Sequence, residues 1–155
     1  MEWLWLYAAV EPATGESFCL YLPHLDGVCF EAFLGEVRRA YPGDEIVLVL
    51  ERAGAHISGA VAWPEEMMPF YLPPRSPELD PAERWFQELR GSLSNVAHAT
   101  LEEMADALTT ALRPWWEDVR RLARLVGYSW WTAATGSILT SSHRIRITVV
   151  CCHRQ

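Results

Sequence analysis

Apolar and polar positions change their period several times along this 155-residue chain, and each change marks an element. Residues 3–10 form a dense run of aromatic and aliphatic side chains, residues 17–22 form a second, and Glu11-Pro12-Ala13-Thr14-Gly15-Glu16 lies between them. Pro and Gly in that spacer mark a turn, so the pair is expected to be an antiparallel hairpin. After Pro23 the residues Cys29, Phe30, Phe33, Leu34 and Val37 recur at helical spacing until Tyr41-Pro42-Gly43 ends the pattern, which predicts one amphipathic helix. The unbroken run Ile46-Val47-Leu48-Val49-Leu50 follows. Five β-favouring apolar residues bounded by polar ones read as a strand buried on both faces, in the middle of a sheet. Glu51 is then the first residue past its carboxyl end, the edge where open α/β sheets usually place their chemistry.

Residues 56–64 give only a weak signal. Residues 67–72 read as a short strand, and Pro69 inside it predicts a place at or near a sheet edge. Pro73-Pro74 and Ser76-Pro77 keep the next loop extended and stiff. Asp80, Pro81 and Glu83 have the spacing of a capping box opening a helix over residues 81–93, with Trp85, Phe86 and Leu89 on its core side. Thr100 and Glu103 open the next helix in the same way, with Leu101, Met104, Leu108 and Leu112 as its apolar stripe, and Arg113-Pro114 is expected to break or kink it. A further helix over residues 115–126 should end at Gly127. Beyond a Ser/Thr-rich linker, residues 143–150 alternate like a strand.

Taken together, the apolar strand with its acid, Glu51-Arg52-Ala53-Gly54-Ala55-His56, and the stretch Leu72-Pro73-Pro74-Arg75-Ser76-Pro77-Glu78-Leu79-Asp80-Pro81-Ala82-Glu83-Arg84-Trp85 resemble the catalytic domain of bacterial insertion-sequence transposases related to mariner. The likeness runs from about Trp3 to Trp131, and the Pro-Pro-x-Ser-Pro-Glu-Leu stretch is its most specific part. It implies an α/β, ribonuclease H-like mixed sheet flanked by helices, over residues 1–134, with residues 135–155 as a basic extension that includes a possible strand. It also implies metal-dependent DNA cleavage and strand transfer by three acids holding Mg²⁺ or Mn²⁺, two hard ions that require oxygen ligands. By position Glu51 takes the second acidic site and Glu83 the third, as catalytic and metal-binding residues. Arg75, Arg84 and His56 become the candidates for contact with DNA.

This chain departs from the family pattern where Glu51-Arg52 stands in place of the usual Asp-Asn. The first acid of the family lies on a central strand preceding the one that starts near Trp3, so the domain reads as incomplete at its N-terminus, with that strand missing or replaced. Unpaired strand edges inside a sheet are costly, and residues 144–150, from this chain or a partner, are the candidate replacement. The chain is therefore expected to be a poor nuclease or none. The rival reading is a non-catalytic transposase remnant, an oligomerising or DNA-associated module. A more remote one is a nuclease using Glu11, Glu16 or Asp26 as a substitute acid.

Composition refines this picture. The length suits one well-buried domain. All 13 basic residues are arginine, and the net charge of −7 argues against a surface given over wholly to phosphate binding. Residues 119–155 contain six arginines and no Asp or Glu, which leaves −13 on residues 1–118. That basic segment can meet DNA or neutralise the acidic body, and neutralisation is the simpler expectation. Cys19, Cys29, Cys151 and Cys152 show no C-x-x-C spacing, and no run is long enough to span a bilayer. A cytoplasmic protein with reduced thiols, a homo-oligomer without a membrane partner, is expected. Cys151, Cys152 and His153 are read as two buried thiols beside a frayed terminus. Trp85, Trp115, Trp116, Trp130 and Trp131 are read as core.

Overall fold

The computed structural model describes residues 3–51, 61–94, 96–136 and 144–154; of Cys151 only the backbone is described. Arg52 and His56 lie outside the described residues. The hairpin forms as β1 (Trp5–Val10) and β2 (Ser17–Leu22), antiparallel, with Trp5 opposite Leu22. Helix α1 (Gly27–Ala40) is capped by Asp26, whose carboxylate accepts from the Cys29 amide at 2.8 Å, and it buries Cys29, Phe30, Phe33, Leu34 and Val37. Strands β3 (Glu45–Leu50) and β4 (Met67–Tyr71) are parallel. After a short 3₁₀ turn (Pro77–Leu79) come α2 (Ala82–Leu93), α3 (Leu101–Glu117), α4 (Val119–Val126) and α5 (Ser129–Thr135), and β5 (Ile145–Arg154) follows.

The sheet order is β2-β1-β5-β3-β4. The last strand of the chain is thus the middle strand of the sheet, antiparallel to β1 and parallel to β3. It occupies the central place that the family resemblance assigns to a strand preceding β1, and it comes from the same chain. Even-numbered side chains of β1 and odd-numbered ones of β3 and β5, among them Leu6, Val49, Ile147 and Val149, pack with α2 to α5. Tyr7, Ile46, Leu48, Leu50 and Val150 pack on the other face against α1. Strand β3 is therefore covered on both sides, as its unbroken apolar run requires.

Edge strand β4 carries Pro69 without loss of pairing. The bonds Ile46 N–H to Glu66 O and Leu72 N–H to Leu50 O, both 2.8 Å, show that the even residues of β4 face β3. The missing donor of Pro69 therefore points to the outer edge, which it blunts against further strand pairing.

Three local expectations are corrected. Pro114 does not break α3, which continues to Glu117; the helix ends at Asp118, whose side chain caps α4 by accepting from Arg121 N–H at 3.1 Å. A proline lacks one N–H, and three further residues of helix are held by buried Trp115. The capping box at Asp80 is only half made: Asp80 accepts from Ala82 N–H at 2.9 Å, but its own N–H goes to Pro77 O, so the Glu83 carboxylate is directed elsewhere. Trp85, Trp115 and Trp131 are buried, whereas Trp116 and Trp130 are exposed.

Gly15 and Gly43 both have φ +78°, but a Cβ on Gly15 would lie 1.8 Å from the Val119 carbonyl oxygen, whereas one on Gly43 meets open space. Gly43→Ala is expected to cost only the left-handed backbone penalty of about 1 kcal/mol. Gly15→Ala should cost about 1–3 kcal/mol because the 11–16 turn must also back away from α4. Urea denaturation midpoints of the two variants check the difference.

Candidate functional site

The elements above bring three sequence-distant side chains to one lip of the sheet. Glu51 follows the carboxyl end of β3, on the same alternation as Val49. Glu83 stands in the first turn of α2, set there by the stiff Pro-rich loop and the Asp80 cap. His153 stands near the end of β5, opposite Leu6 of β1 and on the same alternation as Val149. Glu51 and Glu83 are near enough to sense each other. Partial desolvation is the larger cause that raises the Glu51 pKa, and the negative charge of Glu83 raises it further.

One oxygen of the Glu83 carboxylate is bound and the other faces a ring nitrogen. Oε1 accepts from Nη2 of Arg90 at 2.8 Å, and Oε2 faces Nε2 of His153 at 3.6 Å. Nη1 of Arg90 lies 3.2 Å from Nδ1 of His153. A guanidinium can only donate, so Nδ1 accepts and the imidazole proton sits on Nε2, toward Glu83. The ring stacks on the buried Phe86 with centroids 4.3 Å apart. Burial lowers the His153 pKa; Glu83 works against that shift and Arg90 with it, so the imidazole is neutral near pH 7.

Of the other expected residues, Arg84 is exposed and lines a polar cleft of about 320 Å³ beside Glu83, together with Glu78, Asp80, Gln87 and Tyr128. Arg75 is exposed in the loop before α2, at φ 59°. Glu11 and Glu16 are not substitutes for an acid at this lip. Both bind Arg146 at the level of Ile46, the amino end of β3, about 16 Å down the strand from Glu51 at ~3.3 Å per residue. Asp26 is engaged as the cap of α1. The acid-neutralising reading of the basic segment holds for Arg144 and Arg146, which pair with Asp44, whereas Arg120, Arg121 and Arg124 on α4 are exposed. The expected frayed terminus is instead β-strand through Arg154, whose guanidinium lies over the Trp3 ring at 4.3 Å.

Arg90 and His153 were not among the residues the sequence singled out for this lip. Arg90 is seven residues after Glu83, two helical turns along the same face, and His153 continues the inward alternation of Ile147 and Val149.

A family model described as DDE superfamily endonuclease matches residues 1–105. An uncharacterized protein, y4pE/y4sA, of Sinorhizobium fredii (strain NBRC 101917 / NGR234) is 33% identical over 114 residues, covering 73% of this chain and 83% of its own length. No solved structure matches. The chain belongs to the DDE superfamily endonucleases, and its mixed α/β sheet agrees with the ribonuclease H-like fold of that family. It is a transposase-like nuclease domain of a family that acts on DNA with divalent metal ions. No helix among the described residues is long and apolar enough to cross a membrane.

The donor set at the lip does not fit a pair of hard cations in this arrangement. Two Mg²⁺ or Mn²⁺ ions need several convergent carboxylate oxygens. Here one of the two acids is already bound by a cation, the imidazole offers a proton instead of a lone pair, and the described residues include no group of three His, Cys, Asp or Glu placed to hold a metal.

Proposed function

We propose that this chain is a DDE-type transposase catalytic domain of the mariner-related insertion-sequence kind, acting on DNA in the cytoplasm, whose cleavage activity in this form is weak or nil. The observation that carries this reading is the meeting of Glu51 and Glu83 at the carboxyl end of β3 while the Glu83 carboxylate is taken up by Arg90 and His153. Glu51 and Glu83 are the metal-facing acids of the family scheme, for Mg²⁺ or Mn²⁺. Arg84, beside the polar cleft, and Arg75, in the loop leading to it, are the phosphate contacts, with His56 as a further DNA-contacting residue.

Incubation with supercoiled plasmid and Mn²⁺ is the test. Wild type and Glu51→Gln are expected to leave the same fraction of plasmid supercoiled. Cleavage by the wild type that is lost in Glu51→Gln would show that the site is active as it stands.

A second reading, a non-catalytic DNA-associated or oligomerising module, draws on the exposed Arg113, Arg120, Arg121 and Arg124, with Trp116 exposed among them. If that surface binds duplex, the logarithm of the affinity should fall linearly with the logarithm of salt, and replacing Arg120 and Arg124 by Ala should reduce the slope by about two. Metal-indifferent sedimentation as a dimer or larger species would support the oligomerising form of this reading.

A further inference from the structure

We propose that Arg90 and His153 are positioning residues that clamp Glu83 and close this lip to hard divalent cations. The proposal deepens the reading of Glu51 and Glu83 as metal-facing acids, and rests on it. Three groups converge: Arg90 donates to Glu83 and to His153, and the Nε2 side of His153 faces the second Glu83 oxygen at 3.6 Å. A carboxylate with a guanidinium on one oxygen and an N–H facing the other has little capacity left for a dication, and the fixed positive charge of Arg90 opposes one's approach.

The clamp is built from rigid elements. Glu83 and Arg90 share one face of α2, and His153 is fixed by the pairing of β5 with β1 and by its stack on Phe86. Its strand is the central one, the place from which the family resemblance would deliver a carboxylate, and what reaches Glu83 from it is an imidazole. The cost of opening the clamp is small. Arg90 is 47% and Glu83 28% exposed, and an ion pair of that exposure contributes roughly 0–1 kcal/mol to folding. Its effect is to orient Glu83, not to hold the fold, so the clamp can be cut without unfolding the chain.

The experiment measures Mn²⁺ uptake by calorimetry on the full chain as wild type, Arg90→Gln, and the double variant Arg90→Gln with His153→Asp. Circular dichroism confirms that each is folded. The wild type is expected to show no saturable site at millimolar Mn²⁺. Arg90→Gln should gain affinity on the order of tenfold to a hundredfold, the range in which partners of metal ligands act, and lose the gain when Glu51→Gln is added; the double variant, which also adds a carboxylate at position 153, should bind more tightly still. Wild-type uptake that depends on Glu83, or a folded Arg90→Gln variant no better than wild type, overturns the clamp.

A second measurement needs no substitution. Nitrogen NMR of the wild-type His153 ring should show the single Nε2–H tautomer, unmoved by millimolar Mg²⁺, and a Mg²⁺-dependent shift counts against the clamp. Failure of the nuclease reading is distinguishable: a double variant that binds Mn²⁺ through Glu51 but leaves plasmid intact keeps the clamp and counts against Glu51 and Glu83 as catalytic acids.

Discussion

Deleting residues 144–155 is expected to abolish the cooperative thermal transition of the chain. The segment supplies the middle strand, so its loss separates the β1–β2 hairpin from the parallel pair β3–β4 and leaves two unpaired strand edges facing each other inside the sheet. Neither half is a stable unit, since a two-stranded piece is marginal in water. Ile147, Val149 and Val150 are buried, and burying such side chains contributes about 1.5–3 kcal/mol each. Together that approaches the whole net stability of a domain, about 5–15 kcal/mol. Differential scanning calorimetry and size-exclusion chromatography read the outcome: a missing transition with aggregation is expected, and a truncated monomer melting within a few degrees of the full chain would show that β5 is dispensable. A synthetic peptide covering residues 144–154, added during refolding, should restore soluble material.

The elements legible in the sequence were those whose signal is local. The stripe from Cys29 to Val37, the run from Ile46 to Leu50 and the Thr100 cap each carry their own period or hydrogen-bonding residue; the first two elements have nearly the expected limits, and Thr100 starts its helix where expected. The alternation after Arg144 announced a strand as well, and the need to fill the central place pointed to this segment. Its register was not readable, because pairing across more than a hundred residues leaves no trace in a local pattern. For the same reason the local pattern does not place His153 beside Glu83: their contact exists only once β5 lies between β1 and β3. The capping-box spacing assigns Glu83 to the helix start, but a partner two turns away offers it a charged donor, which binds a carboxylate more strongly than a backbone amide does. Trp116 shows the limit of helical phasing, since it follows buried Trp115 on the turn and must face another way.

Arg146→Met should lower stability by about 3–5 kcal/mol, the cost typical of breaking a buried ionic network by removing one partner. The Arg146 side chain is 7% exposed on β5, with Nη1 at 2.6 Å from both Glu11 and Glu16, Nε bound to Asp44, and the guanidinium 4.1 Å over the Tyr41 ring. It ties the central strand to the β1–β2 turn and to the loop before β3, and its removal takes the guanidinium from Glu11 and Glu16 and leaves Asp44 with only the exposed Arg144. For a chain of this length the expected fall in Tm at pH 7 is about 10 °C or more. Arg144→Met is the control: that side chain is 68% exposed and 3.6 Å from Asp44, so it should cost no more than about 1 kcal/mol.

Acidity gives the sign. Burial already raises the Glu11 pKa in the folded chain, against the pull of Arg146, and without the arginine it rises further. An acid whose folded-state pKa is raised contributes stability that is present below its unfolded pKa and lost as pH rises through the folded one. The deficit of Arg146→Met relative to wild type should therefore be smallest near pH 4, about the ordinary carboxylate range, and widen toward pH 7. A variant that melts within about 2 °C of wild type at pH 7, under 1 kcal/mol for a chain of this size, or a deficit that stays constant on acidification, would mean that hydrophobic pairing of β5 alone holds the central strand in place.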